Sequence, residues 1–228
     1  MTLTIHHLQV SQSERLVWLC EELGIHYNLR LHQRDPVLSP QSIKDLHPLG
    51  AAPIIEDDGI RSPLAESAAC IEWIINKHGS GRLALKPDDK DYDQYLYWFH
   101  VANGSLQPAI LRVLSLQLAG VDASNQTMQN MQQRVEKELA YYDSRLSNNT
   151  WLAGEEFSAA DVMTVFSFTT MRTFIQQDLS GYENILAYLQ RVGERPAYRK
   201  AMEKGDPGMD WKAAMNGKPP QSFLRRLG

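Results

Sequence analysis

The sequence predicts an α/β domain with a mixed four-stranded sheet, followed by an all-α domain. Two observations predict this class: strand and helix patterns alternate over residues 1–80, and helical patterns alone fill residues 89–204. Residues 81–88 between them are predicted to be a linker, and residues 205–228, with weak periodicity, a C-terminal extension. A chain of 228 residues is long enough for one large domain or two small ones.

The first three elements form a strand–helix–strand unit. Leu3–His7 is a strand candidate, and the apolar residues of 16–23 follow helical spacing up to Gly24, a residue typical of the position after a helix. Residues 27–31 alternate apolar and polar side chains, as a half-buried strand does. So compact a unit predicts a parallel strand pair joined by a right-handed crossover.

The next elements complete the sheet. Residues 41–47 indicate a short helix that Pro48 ends, and residues 57–59 (Asp-Asp-Gly) are a hairpin signal between two short strands. Ala65–His78 is helical, with Gly79 beyond its end. The predicted order of this domain is therefore β-α-β-α-β-β-α.

The second domain is predicted from helical patterns alone. Asp89–Leu118 is a long helical stretch that Pro108 should kink or divide, because proline removes a backbone donor. Ser158 and Asp161 have the spacing of a capping box at the start of a later helix. Another predicted helix carries the apolar stripe of residues 131–146. Two shorter helices are predicted at Tyr182–Glu194 and Ala197–Lys204.

Composition excludes several classes of function. With 23 basic and 27 acidic residues the formal charge is −4, which argues against nucleic acid as a partner. No apolar run is long enough to span a membrane, and the N-terminus lacks the pattern of a secretory signal, so we expect a cytoplasmic protein. Cys20 and Cys70 lack CxxC partners, and His6 and His7 point to opposite faces of a strand, so we expect no metal site.

The segment Ser11–Arg15, between the first strand and the first helix, has two compatible interpretations. Ser11 and Glu14 have the Ser-x-x-Glu spacing of a capping box, with Ser11 as the N-cap. Alternatively, the Ser11 hydroxyl lies at the positive end of a helix, where anions bind. Taken alone, the segment favours the cap.

Two further segments have the same kind of ambiguity. Pro53 stands at the mouth of a strand; a cis peptide there would let the Ala52 backbone face an extended ligand, although a trans turn is commoner. Glu66 and Ser67 open the helix at 65–78, where both residue types suit a helix start. They could also clamp an amino-acid terminus, with Glu66 on the ammonium group and Ser67 on the carboxylate.

Together these segments resemble the soluble glutathione S-transferases. The shared order is a serine before a helix ending in Glu-Glu-Leu-Gly (21–24), then His-Pro-Leu-Gly-x-Ala-Pro (47–53), then Ala-Glu-Ser (65–67). In the second half, residues 151–161 are similar to the family's helix-capping signature and residues 97–108 to its bacterial and fungal branch. The resemblance spans roughly residues 1–204.

The resemblance implies a thioredoxin-like domain followed by an all-helical domain, a homodimer, and glutathione as cosubstrate without a metal or organic cofactor. It implies that Ser11 is the catalytic residue that stabilises the thiolate of glutathione. It further implies that Ala52, with a cis Pro53, pairs with the cysteinyl backbone, and that Glu66 and Ser67 hold the γ-glutamyl end.

One departure from the family concerns the glycyl carboxylate of glutathione. Many members have Lys or Gln where this chain has Ala51, so the partner of that carboxylate must come from elsewhere. The candidates are His47 and Arg34, with Lys44 and His32 as further cations. For the electrophile, a small apolar molecule, we expect a cleft between the domains lined by Phe99, Asn103 and Leu106.

Three functions fit these residues. The first is conjugation of glutathione to small electrophiles, which for this family implies detoxification. The second is glutathione-dependent reduction of disulfides or peroxides on the same site, since both reactions start from a bound thiolate. The third is an interaction module with this fold and no turnover. Ser13 is the alternative hydroxyl to Ser11 in the catalytic role.

Overall fold

A computed structural model describes residues 2–223 of the chain. Its sheet contains β1 (Thr4–Leu8), β2 (Asn28–His32), β3 (Ile54–Glu56) and β4 (Leu64–Ala65), in the order β2-β1-β3-β4. β1 runs parallel to β2 and antiparallel to β3, and β3 runs antiparallel to β4. The mixed four-stranded sheet predicted from the sequence is therefore confirmed.

The helices follow the predicted order. Those of the first half are α1 (Glu14–Leu23), α2 (Gln41–Lys44) and α3 (Ser67–Lys77). Those of the second half are α4 (Tyr92–Val101), α5 (Gln107–Leu118), α6 (Gln126–Leu146), α7 (Ala159–Phe168), α8 (Glu183–Glu194), α9 (Pro196–Gly205) and α10 (Trp211–Ala214). Gly24 ends α1 in the left-handed conformation, with φ at 65°, which explains the glycine there.

The long helical stretch of the second half is divided near Pro108, as predicted. α4 passes into a π-helical turn at Ala102–Leu106, and α5 begins immediately after it with Pro108 in its first turn. The π-helical turn, in which the Gln107 N–H bonds to the Ala102 carbonyl oxygen, accommodates the proline, which has no N–H of its own to donate to the preceding turn. The π-helical turn contains Asn103, one of the predicted site residues.

The helix α1 lies at the junction of the two halves of the molecule. It packs against α3 beside the sheet and also against α7 and α9 of the helical half. Its apolar side chains Leu16, Val17 and Leu19 are fully buried. On the other face of the sheet, Ile43 of α2 packs against Leu8 and neighbouring strand residues. A sheet covered by helices on both faces, followed by a helical bundle, is the thioredoxin-like and all-helical arrangement that was predicted.

The extension after α9 packs against the helical half as far as residue 223. The buried guanidinium of Arg172 donates to the carbonyl oxygens of Ala214, Asn216 and Gly217. The rest of the predicted extension, residues 224–228, lies outside the described residues. Within residues 2–223, no helix is both long enough and apolar enough to cross a membrane.

Candidate active site

The loop between β1 and α1 holds Ser11 in a buried position. Val10 has a left-handed backbone, with φ at 50°, and Ser11 is only 6% exposed. The Ser11 Oγ lies 2.7 Å from the Ser13 Oγ and accepts the Ser13 backbone N–H at 3.2 Å. Ser11 is thus held by two bonds within its own loop.

The predicted capping box at Ser11 and Glu14 is wrong. α1 begins at Glu14, and its N-cap is Ser13, whose side chain makes no capping bond. The carboxyl group of Glu14 does not reach back to Ser11, because it accepts the hydroxyl of Thr170 from the helical half at 2.5 Å. Burial raises the pKa of Glu14 to about 8, so this group is mostly protonated at neutral pH.

Behind Ser11 and Ser13 lie two residues that the sequence analysis did not assign to the site. His7 Nδ1 is 2.9 Å from the Ser13 Oγ, and His7 Nε2 is 3.1 Å from Asp206 Oδ2. The other carboxylate oxygen of Asp206 accepts the backbone N–H of Val10 at 2.8 Å. No local pattern reveals this pair, because 199 residues separate His7 from Asp206.

The peptide bond between Ala52 and Pro53 is cis, as the family resemblance implies. Ala52 is 7% exposed, and β3 begins at Ile54, directly after Pro53. Its carbonyl oxygen accepts a hydrogen bond from Gln12 Nε2 at 3.2 Å. The residue after Ser11 therefore contacts the cis-proline loop directly.

The start of α3 is the third segment. Glu66 is exposed and has a left-handed φ of 72°, and neither its side chain nor any other in the described residues caps α3. Ser67 is fully buried, and its Oγ accepts from Arg15 Nη1 at 2.9 Å and from Asn103 Nδ2 at 3.0 Å. Ser11–Arg15, Ala52–Pro53 and Glu66–Ser67 thus meet, and we call them the three-segment junction.

Arg15 joins this junction to the helical half. It is fully buried, and its guanidinium also donates to Asn103 Oδ1 at 2.9 Å and to Gln107 Oε1 at 3.0 Å. Burial lowers the pKa of Arg15 to about 10, which leaves it charged at neutral pH. The sequence analysis did not assign Arg15 or Gln107 to the site.

The two residues proposed for the glycyl carboxylate lie in different settings. His47 is half-buried in the turn before Gly50, close in sequence to Ala52, and its Nδ1 accepts the Leu49 N–H at 3.3 Å. The guanidinium of Arg34 instead donates to three backbone carbonyls, those of Gln9, Val10 and Val37. Arg34 therefore supports the loop before Ser11.

Of the three residues predicted to line the electrophile pocket, only Asn103 reaches the junction. Phe99 and Leu106 are 2% and 0% exposed and belong to the helical core. A cavity of about 420 Å³ lies instead beside Val10, between the end of β2 and the C-terminal extension. Its lining includes Val10, Leu31, Thr173, Pro207, Met209 and Phe223. The weak periodicity of the extension gave no signal for this cavity.

Cys20 and Cys70 are placed as structural residues. Cys20 and Cys70 are buried, and burial raises the pKa of both thiols, to about 12 for Cys70. Such thiols are not ionised at neutral pH and are poor nucleophiles. Within the part of the chain that the structure describes, no group of three or more His, Cys, Asp or Glu residues could hold a metal ion.

The fold and site together define a two-domain protein in which a thioredoxin-like domain meets an all-helical domain at a polar junction. Family models match both halves: "Glutathione S-transferase, N-terminal domain" over residues 11–77 and "Glutathione S-transferase, C-terminal domain" over residues 105–196. Glutathione S-transferase 3 of Schizosaccharomyces pombe is 33% identical over 223 residues, covering 89% of this chain and 87% of that protein.

Two further comparisons agree. Glutathione S-transferase 1 of Saccharomyces cerevisiae is 24% identical, covering 88% of this chain and 94% of the yeast protein. The crystal structure of a glutathione S-transferase from Actinobacillus pleuropneumoniae superposes with a TM-score of 0.81 at 29% identity, covering 92% of this chain and 95% of that one. The chain belongs to the glutathione S-transferase family, whose members are transferases.

Proposed function

We propose that the protein binds glutathione at the three-segment junction and uses Ser11 to stabilise its thiolate for addition to a small apolar electrophile. The observation that carries this proposal is the contact of neighbours of Ser11 with both other segments. Gln12 Nε2 is 3.2 Å from the Ala52 carbonyl oxygen, and Arg15 Nη1 is 2.9 Å from the Ser67 Oγ. A tripeptide bound across these segments would place its thiol next to Ser11.

The energy that Ser11 must supply is modest. A free thiol with a pKa of about 8.5 is only a few per cent ionised at neutral pH, and a lowering by about 2 units requires about 2.7 kcal/mol. A hydroxyl hydrogen bond to a charged acceptor contributes about 1.5–3 kcal/mol, and a helix N-terminus adds about 0.3–1 kcal/mol. The serine and the start of α1 together are sufficient without a metal or organic cofactor.

The γ-glutamyl end would bind at Glu66 and Ser67. The two lone pairs of the Ser67 Oγ accept hydrogen bonds from Arg15 and Asn103, so its own proton is free to be donated to a carboxylate. The charge of Arg15 lies within 2.9 Å of that hydroxyl and favours an anion there. Glu66, exposed beside it, would pair with the ammonium group.

The remaining parts of glutathione and the electrophile would bind beside these residues. The Ala52 backbone would pair with the cysteinyl residue of glutathione. His47, in the same turn, would face the glycyl carboxylate more readily than Arg34, whose guanidinium is held by three backbone carbonyls in the loop before Ser11. The electrophile would enter the cavity of about 420 Å³ beside Val10. Its lining combines valine, leucine, proline, methionine and phenylalanine with glutamine, threonine and aspartate side chains, so it suits a small apolar molecule that carries a polar group.

We also propose a homodimer. The supporting observation is that large apolar side chains remain exposed on α4, α5 and α6, such as Tyr97 at 45%, Leu111 at 43% and Tyr141 at 50%. Sedimentation at micromolar concentration should give about twice the chain mass of 25.9 kDa. A monomer at that concentration would refute the dimer.

The proposed reaction is tested by titrating the thiol of bound glutathione, followed by the ultraviolet absorbance of the thiolate. Ser11→Ala should raise the pKa of that thiol by about 1–2 units, because it removes the hydroxyl that favours the anion, while glutathione still binds. An unchanged titration would refute the role of Ser11. Parallel assays of conjugation and of disulfide reduction separate the two enzyme activities, and binding without either activity would indicate an interaction module.

A further inference from the structure

Four buried side chains form a continuous line of hydrogen bonds that ends at Ser11. The Ser11 Oγ is 2.7 Å from the Ser13 Oγ, and the Ser13 Oγ is 2.9 Å from His7 Nδ1. His7 Nε2 is in turn 3.1 Å from Asp206 Oδ2. Ser13 and His7 are 0% exposed, and Asp206 and Ser11 are 4% and 6% exposed. The line therefore connects a buried carboxylate of the helical half to the proposed catalytic hydroxyl.

The direction of each hydrogen bond follows from the carboxylate end. The carboxylate of Asp206 can only accept, so His7 carries a proton on Nε2, and a neutral imidazole then has its lone pair on Nδ1. The Ser13 hydroxyl donates to that lone pair at 2.9 Å, which is a much shorter contact than the 3.4 Å to its other acceptor, the Leu8 carbonyl oxygen. The Ser13 Oγ already accepts the Leu8 N–H at 3.0 Å, so its remaining lone pair accepts the hydroxyl proton of Ser11.

This assignment fixes the state of Ser11 before the thiol ionises. Its proton points inward to Ser13, and one of its lone pairs accepts the Ser13 backbone N–H at 3.2 Å. The second lone pair is free. A thiol that approaches Ser11 therefore meets an acceptor for its S–H proton, not a donor.

We propose that Asp206, His7 and Ser13 form a proton relay that ionises the thiol of glutathione through Ser11. The inference rests on the proposed function, because it requires that thiol beside Ser11. The thiol proton moves to the Ser11 Oγ, the Ser11 proton moves to the Ser13 Oγ, and the Ser13 proton moves to His7 Nδ1. One S–H bond breaks and one N–H bond forms, while each hydroxyl exchanges one proton for another.

The products of this shift are a thiolate and an imidazolium paired with the carboxylate of Asp206. The Ser11 hydroxyl now points outward and donates to the thiolate, which is the stabilising bond of the proposed function. Ser11 touches the substrate, whereas Ser13, His7 and Asp206 act through it as positioning residues. No oxidant, reductant or further reactant is needed.

The surroundings favour this arrangement. Gly205, the last residue of α9, lets Asp206 approach the imidazole, since a Cβ at Gly205 would lie 3.1 Å from His7 Nε2. Asp206 also fixes the loop before Ser11 through the Val10 N–H. The other titratable groups nearby in the described residues are Glu14, Arg34 and the buried Tyr198, which interact electrostatically with Asp206, and His32, which interacts with His7.

The first test uses the unaltered protein and counts protons. Calorimetric titration with glutathione in buffers of different ionisation enthalpy gives the number of protons released on binding, and S-methylglutathione, which has no ionisable thiol, gives the background. The relay predicts almost no release beyond that background at a pH where absorbance shows the bound thiol ionised, because His7 retains the proton. Release of one proton per thiolate formed would overturn the relay.

The second test uses His7→Asn and Asp206→Asn. Asparagine at position 7 can still accept the Ser13 hydroxyl but cannot take up a proton, and asparagine at position 206 can still accept the Val10 N–H but carries no charge. Both variants should raise the pKa of the bound thiol by about one unit or more, a tenfold loss of thiolate below that pKa. Glu203→Gln, which removes an exposed carboxylate from α9 just before Asp206, should leave the titration unchanged.

The outcomes separate this inference from the proposed function. A raised thiol pKa in Ser11→Ala, together with wild-type titrations in His7→Asn and Asp206→Asn, would overturn the relay and leave the proposed function standing. A wild-type titration in Ser11→Ala would refute both. The relay also predicts that the thiol pKa stays low in Ser13→Thr, which keeps a hydroxyl at position 13, and rises in Ser13→Ala, which does not.

Discussion

The N-termini of α1 and α7 have nearly the same sequence pattern, Ser-x-x-Glu at Ser11 and Ser-x-x-Asp at Ser158, and fold differently. At α7 the capping box closes: the Ser158 Oγ accepts the Ala160 N–H at 3.3 Å, and Asp161 Oδ2 accepts the Ser158 N–H at 2.9 Å. At α1 only the serine half forms: the Ser11 Oγ accepts the Ser13 N–H at 3.2 Å, but the carboxyl group of Glu14 bonds to Thr170 instead of reaching back to Ser11.

The difference lies in what surrounds each helix start. The start of α7 is inside the core, where a backbone N–H without a partner is costly, so the local capping rule is obeyed. At the three-segment junction the first N–H groups of α1 donate to the backbone carbonyls of residues 11–13, whereas within the described residues α3 has no side-chain cap. Uncapped N–H groups and a positive helix end are what an anionic ligand requires, and at this junction α3 supplies them. A local rule is thus broken where the ligand is proposed to bind.

Asp161 is the acidic residue of the capping box at α7. Its carboxylate accepts from the Leu152 N–H, the Ser158 N–H and the Tyr188 hydroxyl, all in the core. Asp161→Ala leaves these donors unpaired and should lower the free energy of unfolding by about 3–5 kcal/mol. Urea denaturation measures the loss. A loss below about 1 kcal/mol would show that the box contributes little to the core.

The buried carboxyl group of Glu14 at the start of α1, unlike that of Asp161, should lower the stability of the folded protein when it ionises. Burial raises the pKa of Glu14 from 4.5 to about 8, so between those pH values the unfolded chain ionises this group and the folded protein does not. Stability therefore falls as pH rises through that window, because the folded state binds the proton more tightly.

Glu14→Gln removes this ionisation and keeps an acceptor for Thr170. Its stability relative to wild type should be nearly constant below pH 4.5 and should rise with pH until about pH 8. The expected gain is on the order of 5 kcal/mol, since the two pKa values of Glu14 lie about 3.5 units apart and each unit corresponds to about 1.4 kcal/mol. Urea denaturation across this pH range measures it, and parallel stability curves for the two proteins would contradict the prediction.

Glu66, at the start of α3, is proposed to bind the ammonium group of glutathione. Glu66→Ala should weaken glutathione binding by about 1.5–3 kcal/mol, because it removes a charge-assisted bond to the ammonium group. The turnover number at saturation should stay the same, since that bond is far from sulfur and equal in the ground and transition states. Calorimetry and steady-state kinetics measure both quantities. Glu72→Ala, an exposed carboxylate later in α3, is the control, and a fall in turnover with unchanged affinity would contradict the assignment.

The sequence predicted those features that depend on neighbouring residues. The order of strands and helices, the end of α1 at Gly24, the division near Pro108 and the box at Ser158 all follow from patterns within a few residues. The family resemblance supplied the cis peptide at Pro53, which local preference alone would have made trans.

The features that the sequence did not predict depend on contacts between distant residues. Glu14 leaves its local partner for Thr170, 156 positions away, and His7 pairs with Asp206, 199 positions away. The cavity beside Val10 depends on an extension whose pattern is weak. A single sequence contains the residues of such contacts but no spacing that joins them.

The two serines provide the smallest and most selective test. Ser158→Ala removes a true cap and should lower the free energy of unfolding by about 1 kcal/mol, while the thiol of bound glutathione titrates as in wild type. Ser11→Ala should lower stability less, by about 0.5 kcal/mol, since Ser11 is not the N-cap and the first three N–H groups of α1 keep their backbone carbonyl acceptors without its side chain. The thiol pKa should instead rise. Urea denaturation and thiol titration of both variants should show that Ser158 affects mainly stability and Ser11 mainly the thiol pKa. Equal losses of stability in the two variants would mean that Ser11 acts as a cap after all.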